Sequence, residues 1–89
     1  MLKIKRHKQY NKDFAKCEIS DQHYAKFIVY LSQLIKQEEL PPEALDHSLK
    51  GKFVGYREFH ISGDLVVIYK VYEGILYLVR IGTHSQLFR

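Results

Sequence analysis

The chain opens on an alternation. Leu2, Ile4 and Arg6 fall on one side of an extended segment and Lys3, Lys5 and His7 on the other. That period of two predicts a short first strand over Leu2 to Lys8, and its polar face puts it at or near a sheet edge. Asn11 is placed to cap a helix from Lys12 to about Cys17, with Asp13 in the first turn, where the helix dipole favours an anion. A period of 3.6 then takes over. Tyr24, Phe27, Ile28, Leu31, Leu34 and Ile35 form one apolar stripe, with Ser20 or Asp21 as the cap. Gln37, Glu38 and Glu39 mark its polar end, and Pro41-Pro42 forbids continuation.

Leu40 to Lys52 reads as a loop closed by Gly51. Three β-rich runs follow: Phe53 to Ile61, Leu65 to Tyr72 and Ile75 to Ile81. Tight turns at Ser62-Gly63 and Glu73-Gly74 separate them, so an antiparallel meander is expected. The last two runs are apolar on both faces, so both sides of the sheet need cover. His84 to the C-terminus reads as a terminal turn or helix. The order is βααβββ, an α+β fold with a helical hairpin packed on an antiparallel-meander sheet, and residues 1–89 are expected to form one domain.

Composition narrows the class. The chain is 46% hydrophobic and 27% charged, which places it among globular domains rather than disordered chains. Fourteen basic residues against ten acidic give a net charge of +4, a mild preference for polyanions. Cys17 is the only cysteine, so an internal disulfide and a cysteine-based zinc site are excluded. Met1 to Lys8 lacks the apolar core of a signal peptide, and no apolar run approaches the roughly 20 residues of a membrane span. A cytoplasmic protein without membrane association is the simplest expectation.

The second half carries a polar set that a small core does not need: His47, Arg57, Glu58, His60, Asp64, Arg80 and His84. Charged groups near a core require partners or a task. Strand parity sends Tyr56, Glu58 and His60 one way and Arg57, Phe59 and Ile61 the other. Leu76, Leu78 and Arg80 share a face in the last strand. An ion pair at a strand edge is the plain alternative for Arg57 and Glu58, and hydrogen bonding is the only role read for His7 and His23. His47, His60, Asp64 and His84 are separated by 13, 4 and 20 residues, which matches no zinc signature. Neither a nucleophile elbow around Ser85 nor a glycine-rich phosphate loop is present. No metal and no cofactor are expected.

Histidines with arginines suit one reaction, phosphodiester cleavage in RNA. The 2′-hydroxyl must lose a proton, the 5′-oxygen must gain one, and the phosphorane between them carries extra charge. Imidazoles serve the proton steps near neutrality and guanidinium stabilises the charge. Aromatics such as Tyr56 or Phe88 offer stacking surfaces for a splayed base, although core packing accounts for most of the tyrosines.

Ordered motifs then carry a resemblance. L-P-P with D-H-x-L-K-G, then G-Y-R-E-x-H-I, D-L-x-x-I-Y and R-x-G-T-H-S-x-L-F cover about half of the chain. In that order and spacing they closely resemble the YafQ-like branch of the RelE/ParE superfamily of toxin–antitoxin toxins. The N-terminal half is similar only in its strand and helical-hairpin pattern. The resemblance implies a ribosome-dependent endoribonuclease that cleaves mRNA in the ribosomal A site and is silenced by a cognate antitoxin. It implies His47, His60, Asp64, Arg80 and His84 as catalytic residues. His84 would be the general acid or base, with His60, His47 or Asp64 as its complement and Arg80 on the phosphate. Phe88 matches the family's terminal aromatic near the base, Glu58 an acidic orienting position, and Lys50 and Arg57 are further substrate-binding candidates. Some members carry tryptophan after the aspartate where this chain has Leu65, so base preference or rate is expected to differ. A gyrase-inhibiting toxin of the ParE type, which has no need of these histidines, and a catalytically inactive antitoxin-binding module are the competing readings.

Overall fold

The computed structural model describes residues 1–88. The elements in chain order are β1 (Lys3–Arg6), α1 (Lys8–Lys16), α2 (Asp21–Ile35), β2 (His47–Ser48), β3 (Arg57–His60), β4 (Leu65–Tyr72), β5 (Ile75–Thr83) and α3 (His84–Leu87). Short 3₁₀ turns occupy Pro42–Ala44 and Gly51–Phe53. The sheet has five strands in the order β1-β5-β4-β3-β2. From β2 to β5 it is the expected antiparallel meander, and β1 adds in parallel beside β5 as an edge strand. The extra strand, β2, lies inside the segment read as a loop. Two residues are too few to leave a periodic signal, and they pair only because β3 offers an open edge.

The α1–α2 hairpin covers one face. Tyr10, Phe27, Tyr30 and Leu34 pack there against Phe59, Ile61, Leu76 and Leu78. Two details of the helices differ from the pattern reading. α1 starts at Lys8, four residues early, so Asn11 lies inside it and Asp13 is beyond its first turn. β1 feeds straight into this helix: the His7 N–H bonds to Leu78 O at 2.9 Å, and the Asn11 N–H closes the first turn on His7 O. Packing of Tyr10, 4% exposed, outweighs the local capping preference of Asn11. In α2, capped by the Ser20 hydroxyl at the His23 N–H, the buried stripe runs through Phe27, Tyr30 and Leu34. Tyr24 and Ile28 remain 43% and 45% exposed.

The opposite face is covered only at one end. α3, Leu49 and Phe53 close over Val66, Ile68 and Val79. α3 can turn back onto β5 because residue 82 is glycine: a Cβ there would stand 2.9 Å from the Gln86 amide oxygen. A capping box starts the helix, with the Thr83 hydroxyl accepting from the Gln86 N–H and the Gln86 side chain accepting from the Thr83 N–H. Among the described residues no helix is long and apolar enough to cross a membrane.

Candidate active site

β3 brings the centre of the polar set together. Glu58 and His60 project from it on the face away from the helices, and β2 sets His47 directly opposite Glu58 in register. Glu58 is 2% exposed, buried among groups that are themselves half open to solvent. Its Oε2 lies 2.9 Å from His47 Nε2 and 3.4 Å from His84 Nε2. Its Oε1 is buried with no hydrogen-bond partner. The His60 ring stands between the other two imidazoles, with centroids 6.4 Å from His47 and 5.9 Å from His84. Three imidazoles thus surround one buried carboxylate.

Both ring nitrogens of His47 are engaged. Its Nδ1 lies 2.7 Å from Leu45 O, which only accepts, so Nδ1 carries a hydrogen. Its Nε2 faces the Glu58 carboxyl, which also accepts unless protonated.

Asp64 and Phe88 fix the position of His84. The His84 N–H, one of the orphan donors at the start of α3, points at Asp64 O and Asp64 Oδ1, each at 3.2 Å. Asp64 therefore engages the His84 backbone and not an imidazole. Phe88, one turn on, lies over the His84 ring at 4.7 Å and meets Phe53 edge-on at 5.5 Å. Lys50 is exposed at the start of the 3₁₀ turn that leads to Phe53.

The two arginines are engaged elsewhere. Arg57 projects opposite to Glu58, and its Nε donates to Asp46 Oδ1 at 3.1 Å. Tyr69 OH donates to the same oxygen at 2.7 Å. Burial first, and then that carboxylate, hold the Tyr69 phenol well above its ordinary range. The parity expected for Arg80 is broken by a bulge: Leu78 pairs with Tyr69 and Arg80 with Ile68, which drops Val79 out of register. Arg80 turns to α1, where its Nε and Nη2 donate to Asp13 at 2.6 and 3.2 Å. Asp13 Oδ2 also accepts from the Ile81 N–H, replacing the strand partner that β1 no longer supplies past Leu78. Burial works to raise the Asp13 carboxyl. The bonds from Arg80, Gln9 and Ile81 outweigh it and hold the group below the usual carboxylate range. Arg80, Asp13 and Lys16 line a cleft of about 320 Å³ beside α3. No periodic signal in the sequence links Asp13 or Asp46 to its arginine, because tertiary packing alone brings each pair together. The central place of Glu58 was half legible, since parity puts it with His60.

A family model described as the YafQ toxin of bacterial type II toxin–antitoxin systems matches residues 2–89. The chain belongs to the YafQ toxin family. It is 37% identical over 82 residues to mRNA interferase toxin YafQ of Escherichia coli K12, across 90% of this chain and 88% of that protein. The YafQ-like fold is evident in solved structures too. In the E. coli DinJ–YafQ complex the match has a TM-score of 0.83 at 32% identity and covers all of both chains. A copper-bound mutant toxin from Helicobacter pylori matches with a TM-score of 0.85 at 40% identity, over 99% of this chain and 100% of that one. Fold class and family are therefore as the motifs imply.

The copper-bound relative raises the question of a metal in this YafQ-family site. Glu58, His60 and His84 each offer a ligand atom, all within 4.8 Å of one another. Ligands on one ion stand at most about 4.2 Å apart at typical metal–nitrogen distances, so modest ring rotation would close the set. Two imidazoles and a carboxylate suit copper or zinc, and the unpartnered Glu58 Oε1 is free to ligate. The residues fit such an ion, and when bound it would act as a Lewis acid toward a phosphoryl oxygen. The same three groups would then be unable to exchange protons.

Proposed function

We propose that this chain is the toxin of a type II toxin–antitoxin system, an endoribonuclease that cleaves mRNA in the ribosomal A site by metal-free acid–base catalysis. The observation that carries the reading is the gathering of His47, His60 and His84 around the buried Glu58, beside the part-exposed ring of Phe88. One imidazole takes the 2′-hydroxyl proton as that oxygen attacks phosphorus, and a second delivers a proton to the departing 5′-oxygen. The products are a 2′,3′-cyclic phosphate and a 5′-hydroxyl, with protons conserved. Glu58, bonded to two of the rings, returns protons between them after each turnover. His84 is the acid or base nearest Phe88, whose ring would stack the adjacent base. Arg80 reaches the phosphate by leaving part of its Asp13 fork, and Lys50 is assigned to a flanking phosphate, whereas Arg57, on the other face of the sheet and held by Asp46, is a structural ion pair and not a substrate contact. Asp64 acts by holding the His84 backbone.

The test is primer extension on message after induction, comparing the native chain with His84→Ala. The alanine keeps the backbone N–H that Asp64 accepts, so the fold is expected to survive. A-site cuts should fall by about 10²–10⁴-fold, the range for a lost acid or base. Full toxicity in the folded variant would sink the assignment, and gyrase poisoning without cuts would favour the ParE-type alternative. Activity lost in EDTA and restored by zinc or copper would overturn the metal-free chemistry.

A further inference from the structure

The open end of the sheet face that carries Glu58 is a second, separate surface. Lys70 and Tyr72 of β4 stand there beside Tyr56, Tyr77 and His7, around a shallow hollow of about 170 Å³. That is well below the roughly 300–1,000 Å³ of enclosed small-molecule sites, so a flat group laid on the surface fits better than a buried ligand. The Lys70 ammonium lies 5.2 Å from the Tyr56 ring centre and 5.4 Å from that of Tyr72, and His7 meets Tyr77 edge-on at 5.7 Å. Tyr72 is 55% exposed, while Tyr56 and Tyr77 are half-buried, resting on the core cluster around Val66 and Ile68.

Charge and continuity decide what this surface takes. Ile4 and Arg6 line a groove against the helices, so alternation turns Lys3 and Lys5 to the tyrosine side, with Lys5 opposite Tyr77 in register. Lys52, 5.3 Å from the Phe53 ring centre, extends the positive charge toward the active site. The acidic residue at this end, Glu73, sits in the β4–β5 turn. Ring contacts also run unbroken from one place to the other: Tyr56 to Phe53 at 6.4 Å, Phe53 to Phe88 at 5.5 Å, and Phe88 to His84 at 4.7 Å. Along β4, Ile68 pairs with Glu58 and Tyr72 lies four residues on, about 13 Å at strand rise. Cations interleaved with part-exposed rings in one track are how single-stranded nucleic acid is held without sequence preference.

We propose that Tyr56, Lys70, Tyr72 and Tyr77 form a stacking platform for single-stranded RNA, taking a nucleotide of the cleaved message a short way from the scissile bond. The platform gives the strand a direction: it lies on one side of the histidine cluster only. Lys70, on a flexible stem, moves off the rings to the phosphate when a base stacks.

This proposal rests on the RNA-cleaving reading, and the experiment separates the two. Fluorescence anisotropy with His84→Ala protein, which holds cleavage off, compares labelled RNAs of about 4 and 12 nucleotides extended on either the 5′ or the 3′ side. Extension on one side only should strengthen binding about tenfold or more, and Tyr72→Ala should remove that gain, the scale of one lost base stack. Truncation of so exposed a ring leaves the core intact. No RNA binding by the His84→Ala parent, equal gains from both extensions, or affinity indifferent to Tyr72→Ala would overturn the platform. Loss of binding to an acidic peptide, with RNA unaffected, would also overturn it by reassigning the surface to a protein partner. A chain that cuts message but ignores Tyr72 loses the platform alone. One that binds RNA through Tyr72 but never cuts loses the cleavage reading alone.

Discussion

Glu58 is expensive to keep. A carboxyl 2% exposed with one oxygen unpartnered loses hydration that its two imidazole contacts only partly replace. His47 and His84 are each half exposed, so removing the carboxylate strands no buried charge. Glu58→Gln is therefore expected to leave Tm unchanged or to raise it by a few degrees, while message cleavage falls about 100-fold as proton return between the rings is lost. Thermal unfolding measured beside a cleavage assay decides the point. A large drop in Tm with activity falling in proportion would make Glu58 a packing residue and nothing more.

At the scale of elements, the Asp13–Arg80 bond joins α1 to β5 where β1 has ended, and two further donors converge on the same carboxylate. The Asp13 side chain is 11% exposed, so the bond is shielded enough to matter. Its carboxyl is held below the usual range, so its contribution is complete above the unfolded-state value near pH 4 and is lost as pH falls through the lower folded value. Asp13→Asn should cost about 2 kcal/mol at pH 7, and the gap from the native chain should narrow below about pH 4. Urea unfolding at pH 7 and pH 3 reads it; a gap that widens in acid would refute the linkage. This bond also marks the limit of what the sequence discloses. Periodicity reads β4 to the residue and the meander with its two turns, because those rest on local alternation and turn chemistry. It misplaces the start of α1 and the parity of Arg80, because tertiary packing of Tyr10 and the bulge at Val79 decide those. Likewise motif spacing brings His47, His60 and His84 to notice, but only pairing of β2 with β3 reveals that Glu58 stands between them.

For the whole molecule, the distribution of charge bears on the partner. The chain carries a net +4, and β1, the edge strand of the sheet, has all four residues of its Lys-Ile-Lys-Arg sequence exposed to solvent. An open edge with exposed Ile4 and flanking cations suits an acidic segment that adds backbone hydrogen bonds, and E. coli YafQ is found in complex with DinJ. If the cognate antitoxin meets this chain through complementary charge, the field acts mainly on encounter, whereas backbone bonds and buried contacts act on dissociation. Raising salt from about 0.1 M to 1 M shortens the screening length from about 10 Å to 3 Å. Stopped-flow mixing with the cognate antitoxin should then show an association rate falling about tenfold or more, with the dissociation rate changed far less. A salt-independent association rate would mean that apolar contact, not the basic edge, guides the two proteins together.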